Sequence, residues 1–388
     1  MRPARPAVFP VVLAGFTAFL DLYATQPLLP LLMRVFDASH VAVSLTVTAA
    51  TIGVAIAAPG VGRFADLVGR KRVIVGSAFA LAAATALAAT AASLTQLIWW
   101  RLVQGLVTPG VFAVTIAYIH EQYPASFAGR ATAAYVSGTV VGGFCGRVLV
   151  GLIAASMNWH IAFAALAVVN VGAAAALAAW LPHDRRTAVH AVATNARAVG
   201  ALLRNPQLVA TDAIGFCSLF SLVAMFTYVT FYLGAPPYAL GTAALGWLFV
   251  VYLVGAAVTP VAGRWVDTYG HRTALAVAMV VGGTGAALTL TAPLWSIVAG
   301  LALVGTGVFV AQAAASSYIG VVTTQHRGVA VGLYSSAYYL GGSAGGALPG
   351  LLWNSGGWTA CVLLVIAVQA TTLVVALRFW RSPAARAL

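Results

Sequence analysis

Gly62-Arg63-Phe64-Ala65-Asp66-Leu67-Val68-Gly69-Arg70-Lys71-Arg72 is a glycine-punctuated, basic stretch lying between two long apolar runs. A fainter copy follows in the second half of the chain, Gly263-Arg264-Trp265-Val266-Asp267-Thr268-Tyr269-Gly270-His271-Arg272. Gly62, Asp66 and Gly69 recur at the spacing of Gly263, Asp267 and Gly270. A charged hinge that occurs once in each half marks a duplicated chain, and the apolar runs beside it say what kind.

Hydrophobic residues make up 62% of the 388, charged residues only 7%, and the mean hydropathy is +0.96. A soluble domain carries about 25% charged residues, so this stock cannot cover a water-facing surface. Apolar runs of about 20 residues separated by short polar turns read as transmembrane helices. They are rich in Ala, Leu and Val and do not alternate apolar with polar, which argues against a β-barrel. The expected fold class is an all-α polytopic membrane protein with twelve transmembrane helices in two pseudo-symmetric six-helix halves.

The spans are expected near 8–33, 42–62, 73–92, 96–119, 131–155 and 160–181, then 208–233, 243–263, 274–292, 296–319, 329–353 and 358–379. The domains are then 1–182, a cytoplasmic linker over 183–207, and 208–388. The apolar run after Arg2 and Arg5 has no convincing small-residue cleavage site, so it reads as a retained first helix rather than a signal peptide.

Seventeen of the 20 basic residues fall at the termini or in alternate loops. Arg34 alone lies at the opposite face, while Arg101 and Arg147 fall inside spans. This asymmetry follows the positive-inside rule and places both termini in the cytoplasm. The net charge of +13 therefore reports topology and not nucleic acid. All ten tryptophans lie near span ends, as an aromatic belt requires. Cys145, Cys217 and Cys361 lie in apolar segments and read as free thiols.

The halves match beyond the hinge. At an offset of 199, Tyr135, Ser137, Gly142, Gly143, Gly146, Gly151 and Trp159 fall on Tyr334, Ser336, Gly341, Gly342, Gly345, Gly350 and Trp358. Two parallel six-helix halves place a substrate at their interface near mid-membrane.

The first hinge is similar to the loop signature of the major facilitator superfamily, and Arg101-Leu102-Val103-Gln104-Gly105 resembles its fourth-helix signature. Asp21-Leu22-Tyr23-Ala24-Thr25-Gln26-Pro27-Leu28-Leu29-Pro30 resembles the first helix of proton-driven efflux members, the acriflavine-sensitivity branch above all. The resemblance implies a monomeric carrier of the bacterial inner membrane, embedded in lipid, moving a small molecule by alternating access. It implies no cofactor, a proton gradient as the energy source, and no nucleic-acid partner.

Asp21 lies thirteen residues from Arg34 and sixteen from Arg5, roughly 20 Å along a helix from either flank. A carboxylate at a helix centre costs about 2.5–3.5 kcal/mol on insertion scales. Either it exchanges protons beside a wet cavity or it holds a permanent structural bond. Arg101 is five residues past Gln96 and is able to snorkel outward; the resemblance makes it instead a cavity residue coupled to Asp21. Arg147 is deeper, and both pairing with Asp21 and binding an anionic substrate are open to it.

The run Gly138-x-x-x-Gly142-Gly143-x-x-Gly146-Arg147 stands where antiporters of the family carry a glycine- and proline-rich signature, but Gly143 replaces the proline and Arg147 the last glycine. These glycines, with Gly341, Gly342 and Gly345, are expected to pack helices closely. By analogy with the family, Tyr23, Gln26, Arg101, Gln104, Arg147, Tyr228, Gln312 and Tyr338 face or border the substrate cavity. Asp66 adds nothing to inside-positive orientation. It pairs locally or, as the resemblance implies, joins Gly62, Gly69, Arg70, Gly263, Asp267 and Gly270 in a latch that shuts the cytoplasmic side.

Enzyme signatures are missing. Lys71 is the one lysine, so there is no P-loop, and His120-Glu121 lacks a second histidine four residues on. The histidines show no metal-ligand spacing. An intramembrane enzyme is the rival of a different class, and a flux assay that follows unaltered substrate separates the two.

Overall fold

A computed structural model describes residues 8–182, 184, 196–323 and 327–380. Helices account for nearly all of them, and no strand occurs among the described residues. In order they are α1 (Phe9–Leu20), α2 (Leu29–Val35), α3 (His40–Val68), α4 (Arg70–Ala88), α5 (Leu94–Gln122), α6 (Ala125–Ser156) and α7 (Trp159–Trp180). A short α8 (Ala196–Leu203) lies in the linker region. There follow α9 (Pro206–Gly234), α10 (Thr242–Leu248), α11 (Val251–Tyr269), α12 (His271–Leu288), α13 (Leu294–Val322) and α14 (Arg327–Phe379). The terminal Arg2, Arg5, Arg381 and Arg386, the linker Arg185 and Arg186, and most of the stretch 183–195 lie outside the described residues.

Eight of these helices are long and apolar enough to cross a membrane by length and composition alone. The expected twelve spans map onto the helices with three corrections. The first span, read as one helix over 8–33, is broken: α1 ends at Leu20, and residues 21–28 form turns before α2 begins. Pro27 and Pro30 have no N–H to return to Tyr23 and Gln26, so the ladder of i→i+4 bonds cannot run through. Tighter bonds replace it, Ala24 N–H to Asp21 O at 3.0 Å and Gln26 N–H to Tyr23 O at 3.1 Å.

The eighth span breaks at Phe249 and Val250 between α10 and α11, again through i→i+3 bonds. The last two spans run together as α14, separated only by Gly357, whose φ of 54° suits a residue without Cβ.

Side-chain caps close several helix starts: Ser39 accepts from Ala42 N–H at 3.2 Å and Asn158 from Ile161 N–H at 2.8 Å. Such caps contribute about 1 kcal/mol each. The packing repeats with the sequence. A Cβ on Gly142 would collide with the Phe16 carbonyl, and one on Gly146 with that of Leu20. In the other half a Cβ on Gly341 would collide with Phe216, and one on Gly345 with Phe220. The α1–α6 seam of the first half is thus rebuilt as the α9–α14 seam of the second, with backbone against backbone.

Between the halves, α3 packs on α14 and α6 on α10. These contacts gather at the end away from the hinges. The His40 ring lies 4.9 Å from Phe231 and 5.0 Å from Trp353, and a Cβ on Gly350 would meet Val41. Thr48 and Thr51 bond to Ser343 at 3.2 and 3.0 Å. At the hinge end, Gly60, Gly62, Gly129, Gly263, Gly328 and Gly332 have no atom within 4 Å of where a Cβ would stand. The interface is packed at the end away from the hinges, and open space adjoins these glycines at the hinge end.

Candidate functional site

The break in the first span turns Asp21 into the bundle of the first half, with no exposed surface. One carboxylate oxygen, Oδ2, accepts from Asn170 Nδ2 at 2.6 Å. The other, Oδ1, makes no hydrogen bond of good geometry among the described residues; the Thr85 hydroxyl and Arg101 lie close to the carboxylate.

Arg101 is 0% exposed, so it does not snorkel to the surface, the alternative that its position alone allowed. Its guanidinium grips the backbone of the break. Nη1 donates to the Asp21 carbonyl at 2.9 Å and to Gln104 Oε1 at 2.6 Å, Nη2 donates to the Leu22 carbonyl, and Nε to the Thr46 carbonyl at 3.0 Å. Gln104 passes its own amide to Thr85 Oγ1 at 2.7 Å. Carbonyls freed by the proline-broken helix need donors in a dry interior, and a forked cation serves two of them, Asp21 and Leu22, while holding α3 at Thr46. The polar groups of Arg101 and Gln104 are all engaged with protein.

Arg147 is different. It is 3% exposed and stands on α6 where that helix meets the break between α10 and α11. Its Nε donates to Gln26 Oε1 at 2.8 Å and its Nη1 to the Gly143 carbonyl at 2.6 Å. Three rings surround the guanidinium: Phe249 at 4.5 Å, Tyr23 at 4.9 Å and Tyr252 at 4.9 Å from their centroids. A desolvated cation over an aromatic face gains about 2 kcal/mol. No carboxylate pairs with Arg147 among the described residues, since the ion pairs there are those of Arg70. Pairing with Asp21, one of the two roles open to Arg147, does not occur in this conformation. Gln26 continues across the halves, donating to Thr227 Oγ1 at 3.1 Å.

Of the other expected cavity residues, Tyr338 is buried beside Tyr339 at 5.5 Å, and Tyr339 meets Phe112 of the first half at 5.7 Å. Tyr228 donates its hydroxyl to the Gly346 carbonyl at 2.8 Å and so braces α9 against α14. Gln312 is half-buried on α13, and its side chain bonds to no described residue.

At the first hinge, Gly69 has φ 103° and Gly270, its counterpart, 82°. Asp66 accepts from Arg70 Nη2 at 3.0 Å, and Arg70 also pairs with Glu121 at the end of α5. Those partners belong to the first half, so among the described residues no hinge ion pair joins the halves in this conformation. Asp267 forms no ion pair among the described residues.

Four participants escaped the sequence reading. Asn170 is a lone amide in an apolar helix, a signal of the same kind that singled out Asp21. Tyr252 and Phe249 gain their place from a helix break that no glycine or proline announces. Asp184 caps the start of α4, both carboxylate oxygens accepting from Lys71 N–H at 3.2 Å.

Comparison with known proteins agrees with this architecture. The sequence model of the Major Facilitator Superfamily matches residues 11–243 and 236–388. An uncharacterized MFS-type transporter of Bacillus subtilis, YybF, is 30% identical over 363 residues, covering 93% of this chain and 90% of that protein. The inner membrane transport protein YnfM of Escherichia coli is 31% identical over 372 residues, covering 95% and 89%. The crystal structure of a bacterial homolog of the human lysosomal transporter Spinster, inward-facing and occupied, superposes with a TM-score of 0.79. It shares 14% identity and covers 97% of this chain and 98% of its own, a likeness of fold.

Proposed function

The chain belongs to the major facilitator superfamily, and from that premise we propose that it is a proton-coupled secondary transporter of small amphiphilic compounds, working by alternating access in the inner membrane. Both termini would face the cytoplasm, and the two halves, 1–182 and 208–388, would rock about the interface that α3, α6, α10 and α14 form. The observation that carries the reading is the Asp21 carboxylate. It sits in the dry interior with one oxygen bonded to Asn170 and the other making no hydrogen bond of good geometry. A carboxyl group so placed can gain a proton at Oδ1 without breaking a hydrogen bond. Arg101, the nearest cation, is turned to the backbone and makes no ion pair with the carboxylate.

Alternating access draws support from the interface, whose contacts between the halves run from His40 to Ser343, with open space beside the hinge glycines. In the opposite state the hinge residues Gly62, Asp66, Gly69, Arg70, Gly263, Asp267 and Gly270 would come together as the latch. Export in exchange for protons is the direction that the resemblance of Asp21–Pro30 to efflux proteins implies. Uptake or exchange of a small organic anion is a second reading, and the guanidinium of Arg147, buried without a counter-ion, favours it. Reconstitution into liposomes under an imposed pH gradient tests the function. Proton movement that accompanies unaltered substrate supports it, and chemical conversion of the substrate overturns it in favour of an enzyme.

A further inference from the structure

The interface between the halves holds more hydrogen-bond donors than the protein uses. Tyr23 and Tyr252 flank Arg147, and Tyr338 and Tyr339 on α14 lie within electrostatic range of Tyr23. Their four hydroxyls bond to no described residue, and neither does Nη2 of Arg147. Tyr135 and Tyr228, by contrast, each donate to a backbone carbonyl. Buried donors without a partner occur elsewhere too, at Thr132 and Tyr334 among others, but here those of Tyr23 and Tyr252 flank a cation, and the acceptors that the cation meets, Gln26 Oε1 and the Gly143 carbonyl, are already taken.

Among the described residues the buried charged side chains are those of Asp21, Arg101 and Arg147. With Asp21 ionised, the first two cancel in sign and Arg147 is left over; with Asp21 protonated, the excess is larger. A buried cation without a partner is costly unless something compensates it, and an array of donors around it selects an anion. The walls are aromatic: Phe249, Phe112 and the tyrosines themselves.

Resting on the transport reading above, we infer that the cargo is a monoanionic organic acid with an aromatic body, its carboxylate seated on Arg147 among the hydroxyls of Tyr23, Tyr252, Tyr338 and Tyr339. Arg101 has no part in the site, since backbone carbonyls and Gln104 occupy its guanidinium. A second negative charge on the ligand would go uncompensated, which selects against dianions. Anion on Arg147 and proton on Asp21 attract each other in a low dielectric, so each raises the affinity for the other; the two would then move in the same direction, as in the uptake reading, and not in exchange.

Calorimetric titration of the purified protein in nanodiscs with 1-naphthoate, 1-naphthamide and 1-naphthylmethylammonium tests the inference. The three probes share a ring system and differ in charge. Naphthoate is expected to bind at least about tenfold more tightly than the amide, and the cation not at all. Arg147→Gln should lose about tenfold in naphthoate affinity and leave the amide unchanged, with partial recovery in Arg147→Lys. Tyr339→Phe, which removes one oxygen and keeps the ring, should weaken naphthoate alone and covers the case in which Arg147→Gln fails to fold. Equal binding of acid and amide, or naphthoate affinity untouched by Arg147→Gln and Tyr339→Phe, overturns the inference. So does an absence of naphthoate binding by folded protein. Naphthoate binding without proton-linked flux would instead leave the anion site standing and sink the transport reading. Proton-driven flux of a neutral amphiphile without naphthoate binding would do the reverse.

Discussion

Arg101 meets Asp21 through the main chain: Nη1 donates to the Asp21 carbonyl at 2.9 Å, while the carboxylate takes its hydrogen bond from Asn170 at 2.6 Å. Two opposite charges are therefore neighbours without forming an ion pair. The arginine fixes the fold of the break, and the carboxylate beside it keeps the freedom to change its proton.

Asp21→Asn keeps the size and the polarity of the side chain but removes the titratable group. We expect it to fold, to reach the membrane, and to lose most of its pH-driven flux in proteoliposomes. Its melting temperature in detergent should be unchanged or raised, because a buried charge that lacks a full set of partners is gone. Flux equal to that of the unaltered protein would show that the proton travels elsewhere.

Arg101→Ala removes one donor from each of the Thr46, Asp21 and Leu22 carbonyls, and of these Asp21 keeps Ala24 N–H while Leu22 loses its donor. A buried acceptor left unpaired costs about 1–3 kcal/mol, so this variant should be far less stable than Asp21→Asn. Arg101→Lys, with a point charge in place of a fork, should recover only part of the loss. Thermal unfolding in detergent, followed by size exclusion, ranks the three.

Gly146→Ala and Gly62→Ala differ by one methyl group each and should behave oppositely. The first drives a Cβ into the Leu20 carbonyl, and the second meets nothing within 4 Å. Overpacking of this kind costs about 1–3 kcal/mol, so Gly146→Ala should lower thermal stability and yield while Gly62→Ala leaves both unchanged.

Val41→Cys with Gly350→Cys, in a background lacking Cys145, Cys217 and Cys361, probes the packed end. A Cβ at position 350 would stand 3.3 Å from the Val41 Cα, so oxidation should join the helices. Transport should then stop and return on reduction. Continued transport by the cross-linked protein would mean that the two halves need not part there.

The class, the duplication and the seams were legible before any coordinates. Gly142 and Gly341 stand 199 positions apart and face Phe16 and Phe216, which stand 200 apart. The same pairing register thus governs both halves. Composition carried that much because a membrane leaves a helix few options. The break at Asp21 was harder to read. Pro27 and Pro30 hinted at it, but the helix stops seven residues before Pro27 could have ended it alone, and the stop depends on Arg101 arriving from α5 to bind the freed carbonyls. The second break, at Phe249, carries no local signal at all. In the sequence Arg147 therefore differed from Arg101 only in its greater depth, with pairing to Asp21 and anion binding both open to it. The difference between them, one bound to backbone and one enclosed by rings, arises from helices remote in sequence.

The two glycine seams bear on how force moves through the molecule. Where Gly142 and Gly146 lie on the α1 backbone, and Gly341 and Gly345 on that of α9, no side chain stands between the helices to yield or repack. A joint without compliant material transmits a displacement undiminished. Small shifts of the first span, beside Asp21, would thus arrive at α6 and its Arg147 as equal shifts, and the second half offers the same stiff linkage from α9 to the tyrosines of α14.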